Sequence, residues 1–86
     1  MKTNHIMLKE LLEVYTPKQR GIVSAREMIL ISNTLHLNEM DILALRNLRD
    51  YTVLKLGKSE SLVDWDRMSA ITYVIDCQIL QLDGEV

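Results

Sequence analysis

The side chains that could serve as a nucleophile and its base in this chain are one cysteine and two histidines. Cys77 lies within an apolar run, and neither His5 nor His36 stands at a spacing related to it. A reactive thiolate needs a partly exposed environment with a nearby positive charge or base, which an apolar run does not provide. We therefore expect Cys77 to be a buried structural residue and the chain not to be an enzyme.

Metal and phosphate sites are not predicted either. Asp64 and Asp66 are separated by one residue, but the twelve-residue ligand loop of an EF-hand, with its glycine, is missing. Two such carboxylates are instead typical of a helix N-terminus. The three glycines are isolated and form no phosphate-binding loop. We expect no metal and no cofactor.

Basic residues that follow a predicted turn raise the hypothesis of DNA binding. Residues 25–35 and 39–56 have the dimensions of the two helices in a helix-turn-helix. Arg46 and Arg49 would then contact phosphates. The second helix opens with the acidic Glu39, however, at the end that should meet base edges. An ordinary pair of helices is the preferred interpretation, and DNA binding is kept as the alternative.

Four helices are predicted to carry these residues. Apolar residues at helical spacing indicate helices at residues 4–15, 25–35, 39–56 and 62–82. Ser24 and Glu27 match a capping box at the start of the second helix, and Asn38 is the predicted N-cap of the third. The chain is therefore interpreted as one all-α domain spanning residues 1–86.

The last helix has a competing interpretation. Residues 71–80 also alternate as a strand would and are rich in β-branched side chains, which favour strands. Residues 52–56 are the segment that could pair with them, which would give an α+β fold with a C-terminal hairpin. The helix is preferred because a lone strand needs a sheet partner. Its buried side is predicted to comprise Trp65, Met68, Thr72, Ile75, Ile79 and Leu82.

The composition contains more apolar residues than a small monomer easily buries. Of the 86 residues, 33 are Leu, Ile, Val or Met, and the net charge is −2. One proline, three glycines and one cysteine exclude a disordered tail and a disulfide scaffold. A domain of this size buries roughly 60–65 % of the surface of its unfolded chain. Some apolar residues are therefore expected to face a partner.

The predicted association surface lies in the helix at residues 25–35, whose centre is apolar on every side. The residues expected to contact a partner are Met28, Ile29, Leu30, Ile31 and Leu35. Tyr51 and Trp65 are candidate aromatic anchors. The alternative for Trp65 is a core residue at the start of the last helix. The prediction is a non-enzymatic interaction or regulatory module that binds another protein or itself as a homodimer.

The distribution of charge and hydropathy bears on the partner and the compartment. Residues 1–58 hold nine Lys or Arg and six Asp or Glu, whereas residues 59–86 hold one Arg and six acidic residues. Such an asymmetry can steer a charged partner. No apolar run reaches the roughly 18 residues of a membrane span, and no signal-peptide pattern is found. We expect no membrane partner and a cytoplasmic location.

Overall fold

The computed structural model describes residues 2–84, and α-helices account for most of them. The elements are α1 (Asn4–Val14), α2 (Ala25–Leu35), a 3-10 turn (Leu37–Glu39), α3 (Ile42–Leu56) and α4 (Leu62–Asp83). Within residues 2–84 there is no β-strand, only an isolated bridge between Gln19 and Ile22. The all-α prediction of about four helices is confirmed. None of the helices in this part of the chain is long and apolar enough to cross a membrane.

The alternative hairpin, built from residues 52–56 and 71–80, is wrong because both segments are helical. The Oγ1 hydroxyls of Thr52 and Thr72 each donate to the carbonyl oxygen four residues earlier, at 2.8 Å. These β-branched side chains therefore satisfy their hydroxyls within their own helices. Packing between α3 and α4 then outweighs the strand preference of the residues.

Side-chain caps determine where the first two helices begin. At α1, the Thr3 hydroxyl accepts a hydrogen bond from the backbone N–H of Ile6 at 3.2 Å. At α2, the Glu27 N–H donates to Ser24 Oγ and the Ser24 N–H donates to the Glu27 carboxylate, both at 3.2 Å. This reciprocal pair is the predicted capping box. The predicted bounds of 25–35 for this helix are confirmed.

The third helix begins three residues later than predicted. Asn38 lies within the 3-10 turn, and Asp41 is the cap, accepting the backbone N–H three residues on at 2.8 Å. His36 adopts the left-handed region, with φ of 54°, and the turn that follows places Leu37 and Met40 in the core. The prediction of Asn38 as N-cap is wrong. The turn that buries Leu37 and Met40 comes first along the chain, and the carboxylate of Asp41, which follows this turn, caps the helix.

The helices pack around one aliphatic core. The α3–α4 pair is antiparallel, because Arg49 contacts Asp76 and Gly57 lies beside Met68. α1 packs against α2, and α2 packs against α4. The core comprises Met7, Leu8, Leu11, Tyr15, Ile31, Leu35, Leu37, Met40, Leu45, Leu48, Leu56, Ala70, Ile71, Val74 and Ile75.

The buried side of α4 matches the predicted one in part: Ile75 is buried, and Met68, Ile79 and Leu82 are partly buried against the core. The residues that α4 buries are Ala70, Ile71, Val74 and Ile75. Trp65 was predicted on the buried side but is 46 % exposed. Apolar residues occur on nearly every side of this helix, so their spacing alone does not select one face.

Candidate protein-interaction surface

The apolar centre of α2 divides into a buried part and an exposed part. Ile31 and Leu35 are fully buried, because they repeat at four-residue spacing on the side of α2 that packs on α1 and α4. The prediction that these two residues contact a partner is corrected, since they attach α2 to its own chain. Ile29 is 60 % exposed and Leu30 is 36 % exposed. Met28 is half-buried against the core.

Tyr51, one of the two predicted anchors, already has partners within the chain. Its hydroxyl lies 3.0 Å from His5 Nδ1, and Lys55 Nζ lies 5.9 Å from the centre of its ring. The first contact connects α1 to α3, and the second covers one face of the ring. Tyr51 therefore offers a partner less open surface than the sequence predicted.

Trp65, the other predicted anchor, is fixed in place and open to solvent. Its indole Nε1–H donates to the backbone carbonyl oxygen of Ser59 at 2.9 Å. Nearly half of the side chain is nevertheless exposed. Because the hydrogen bond already orients the ring, little side-chain freedom would be lost when a partner covers it.

Trp65 belongs to a group of exposed apolar side chains where α3 meets α4. We call this group the apolar corner, which comprises Val53, Leu54, Leu62, Val63 and Trp65. Each member is at least 40 % exposed. They lie in the last turn of α3 and the first turn of α4, on either side of residues 57–61. The four aliphatic members were not predicted. The sequence feature that could have identified them is a short polar connector with apolar residues close to both of its ends.

Residues 57–61, which we call the corner connector, fold tightly against the start of α4. The Ser59 hydroxyl donates to Asp64 Oδ2 at 2.6 Å, and the Ser61 N–H donates to Ser59 Oγ at 3.1 Å. The Ser59 hydrogen bond is the main cause that lowers the pKa of Asp64. A Cβ atom at Gly57 would lie 2.5 Å from the carbonyl oxygen of Val53, so the backbone there favours glycine. Polar groups thus occupy the inside of this connector.

Arg67 joins the start of α4, beside the apolar corner, to residues 15–24, which we call the α1–α2 connector. Its guanidinium donates to Asp64 Oδ1 at 3.1 Å, to the Tyr15 carbonyl oxygen at 3.0 Å and to Thr16 Oγ1 at 3.0 Å. The hydrogen bond and charge of Arg67 also lower the pKa of Asp64, against the opposing effect of burial. Tyr15 and Thr16 are too distant along the chain for spacing to reveal these contacts.

The α1–α2 connector also encloses two buried polar groups. The Glu27 carboxylate accepts the backbone N–H of Lys18 at 3.4 Å in addition to its capping bond with Ser24. The Tyr15 hydroxyl is buried without a hydrogen-bond partner. Burial, with the nearby charge of Glu27, raises the pKa of Tyr15 to about 12. The two hydrogen bonds of Glu27 attach the connector to α2.

The candidate catalytic side chains do not converge. Cys77 is half-buried, which corrects the expectation of a fully buried thiol. His5 contacts Tyr51, whereas His36 ends α2. Across residues 2–84, no three His, Cys, Asp or Glu side chains are placed to hold a metal ion. Within the described part of the chain, Cys77 and the two histidines therefore lie in separate surroundings.

The residues predicted to contact DNA phosphates have different surroundings. Arg46 is exposed, whereas the Arg49 Nε–H donates to Asp76 Oδ1 at 2.8 Å. α3 packs chiefly against α4, and α2 packs against α1 and α4. The two helices of the hypothetical motif are therefore not the closely packed pair that normally supports a recognition helix.

Comparisons with known proteins do not add to this description. No family model, no curated protein and no solved structure matches the chain. Its function is therefore inferred from the apolar corner and its surroundings.

Proposed function

We propose that this chain is a non-enzymatic interaction module that associates with a second copy of itself through the apolar corner. The supporting observation is that five large apolar side chains, one of them a hydrogen-bonded tryptophan, are exposed at one end of the α3–α4 pair. Exposed apolar surface favours contact with protein, since burial contributes about 25 cal/mol per Å². We place this module in the cytoplasm, in keeping with its single cysteine.

The total surface of the chain is somewhat larger than that of an average monomer of its mass. The chain exposes 5735 Å², whereas about 5,200 Å² is expected for a monomer of 10.0 kDa. This excess agrees with the apolar side chains that the chain leaves exposed. Because the core is formed within one chain, we expect a monomer that stays folded and a dimer that dissociates on dilution.

Charges beside the apolar corner suit contact between two copies. Lys58 and Glu60 are both exposed on the corner connector. In a twofold contact the same patch of each protomer meets its counterpart. Lys58 of one protomer can then face Glu60 of its partner, so the edge of the contact carries attraction rather than repulsion.

The chain offers a matched pair of variants for testing this proposal. Leu62→Asp places a charge in the apolar corner, and Leu43→Asp places the same charge at the opposite end of α3. Leu62 is 67 % exposed and Leu43 is 68 % exposed. Both lie in the first turn of a helix, where an acidic side chain is favoured by the helix dipole. We expect both variants to fold as stably as the wild type.

Sedimentation equilibrium over a range of concentrations separates the outcomes. The wild type and Leu43→Asp should approach twice the 10.0 kDa chain mass at high concentration, whereas Leu62→Asp should stay near 10.0 kDa. A wild type that remains monomeric at every concentration contradicts the proposal. A dimer that persists in Leu62→Asp as it does in Leu43→Asp would show that the interface lies elsewhere.

DNA binding remains the alternative proposal, and the exposure of Arg46 is the observation that favours it. Titration of a labelled duplex at low salt tests it directly. Affinity that falls steeply with salt and is lost in Arg46→Ala would support DNA binding. Weak binding that is unchanged in this variant would count against it.

A further inference from the structure

A second surface, separate from the apolar corner, is formed where the α1–α2 connector crosses α4. It is an open cleft of about 370 Å³, which falls within the usual range for ligand sites. Val23 and Ala70 contribute apolar wall, and the ring of Tyr73, which is 53 % exposed, stands at its edge. Asp66 provides a carboxylate in the same wall. The cleft thus combines an apolar surface, an aromatic ring and one negative charge.

A cation of the chain itself already occupies this carboxylate. The Arg20 Nε–H donates to Asp66 Oδ1 at 3.2 Å. The Arg20 side chain is 72 % exposed, whereas that of Asp66 is only 28 % exposed. Arg20 lies in a turn closed by the bridge between Gln19 and Ile22, next to Gly21 with φ of +76°. The ion pair therefore joins a mostly solvated side chain on a surface turn, Arg20, to a much less exposed carboxylate on α4, Asp66.

The other ion pairs of α4 show how weakly Arg20 is held. Arg67 is 21 % exposed and uses three acceptors on two elements. Arg20 makes a single bond through Nε, which leaves the paired N–H groups of its guanidinium unused for the bidentate grip that arginine can make on a carboxylate. An exposed pair of this kind is readily displaced.

We propose that this cleft binds an arginine side chain presented by another protein, and that Arg20 is the chain's own competitor for the site. The incoming guanidinium contacts the Asp66 carboxylate through two N–H groups and stacks on the exposed Tyr73 ring. Its aliphatic stem lies along the apolar wall near Val23. None of the residues that line the cleft belongs to the apolar corner, so either proposal can fail without the other.

The test uses N-acetyl-arginine methylamide as the probe and its citrulline analogue as the control. Citrulline has nearly the same shape as arginine but carries no charge. The full chain, labelled with ¹⁵N, is titrated with each compound, and amide shifts are followed at Asp66, Ser69 and Tyr73. The arginine compound should bind with millimolar affinity and shift these amides. The citrulline compound should leave them unchanged.

Variants then identify the competitor and the acceptor. Arg20→Ala should raise the affinity for the arginine compound by about 1.5- to 5-fold, the range that the loss of an exposed ion pair allows. Arg26→Ala removes the same charge from a nearby exposed position and should leave the affinity unchanged. Asp66→Asn should abolish binding, whereas Asp76→Asn, which breaks the other exposed pair on α4, should not.

Three results would overturn the proposal. These are equal shifts with the citrulline compound, an affinity that does not rise in Arg20→Ala, and retained binding in Asp66→Asn. Circular dichroism of each variant checks that the helices are intact. Because Arg67 holds the α1–α2 connector independently of Arg20, we expect Arg20→Ala to fold normally.

Discussion

The first and last connections between helices in this chain differ in which side chains they expose to water. The α1–α2 connector places Tyr15 in the core and exposes Lys18 and Arg20 to water. The corner connector turns its polar contacts inward, around Ser59, and is bordered by exposed apolar side chains. The chain is therefore able to cover apolar groups at a helix connection. The α1–α2 connector and the helix turns beside it expose two large apolar side chains, Val14 and Ile22, against five at the apolar corner. The apolar corner is therefore the larger apolar surface of the two.

Arg67→Met should break the link between the start of α4 and the α1–α2 connector. Of the variants discussed, it should cause the largest loss in the free energy of unfolding. It removes three hydrogen bonds from a charged donor that is mostly buried, and we expect a loss of about 3 kcal/mol in the free energy of unfolding. Urea denaturation followed by circular dichroism measures it. Arg49→Met is the control, because it breaks one half-exposed ion pair and should cost less than about 1 kcal/mol. Equal losses in the two variants would contradict the role given to Arg67.

High pH should lower the free energy of unfolding through Tyr15, at the start of the α1–α2 connector. The pKa of Tyr15 is raised to about 12 in the folded chain, against roughly 10 in an unfolded one. The neutral phenol is the form that the fold favours. Its contribution is complete below pH 10 and is lost as the pH rises through 12, up to about 2.5 kcal/mol in total.

Tyr15→Phe isolates this effect, because other groups also titrate at high pH. The difference in unfolding free energy between wild type and variant should change between pH 9 and pH 12 in favour of the variant. At neutral pH the variant should be as stable as the wild type or slightly more stable, since it removes a buried hydroxyl without a partner. A difference that is constant with pH would refute the assignment.

Trp65→Phe should have a smaller effect, confined to the apolar corner. The change removes the indole N–H that donates to Ser59 and keeps an aromatic ring, so we expect a loss of about 1 kcal/mol in unfolding free energy. Tyr73→Phe is the control on the same helix and should cost less than about 0.5 kcal/mol, because that ring is exposed. A Trp65→Phe variant as stable as the wild type would mean that the hydrogen bond does not fix the indole.

Ile29→Asp should have the smallest effect and tests the α2 surface that the sequence indicated. Ile29 is 60 % exposed, so the free energy of unfolding should change by no more than about 0.5 kcal/mol. Its mass in sedimentation equilibrium should match that of the wild type at every concentration. If Ile29→Asp is monomeric while Leu62→Asp still dimerises, the interface lies on α2 and not at the apolar corner.

The parts of the fold that short-range rules govern could be predicted from the sequence. The capping box at Ser24 and Glu27 involves residues three apart, and it located the start of α2 correctly. The start of α3 was missed because Asn38 and Asp41 are both good caps. The choice between them depends on whether Leu37 is buried, which local sequence does not reveal.

The surface could be predicted only in part, because exposure depends on which helices become neighbours. Ile29 and Ile31 are the same residue type, two positions apart in one apolar run, yet Ile29 is exposed and Ile31 lies in the core. Trp65 was singled out by residue type, and its exposure is consistent with an anchor. Leu62 and Leu54 became candidates only when the ends of α3 and α4 were seen to expose them together.

The shared guanidinium of Arg67 has a thermodynamic consequence. It binds Asp64 at the start of α4 and, at the same time, Tyr15 and Thr16 beside the cleft. Two binding events that each perturb the geometry of one cation are linked, and linkage acts equally in both directions. Any factor by which dimerisation alters arginine affinity must equal the factor by which arginine alters dimerisation, so measuring one supplies the other.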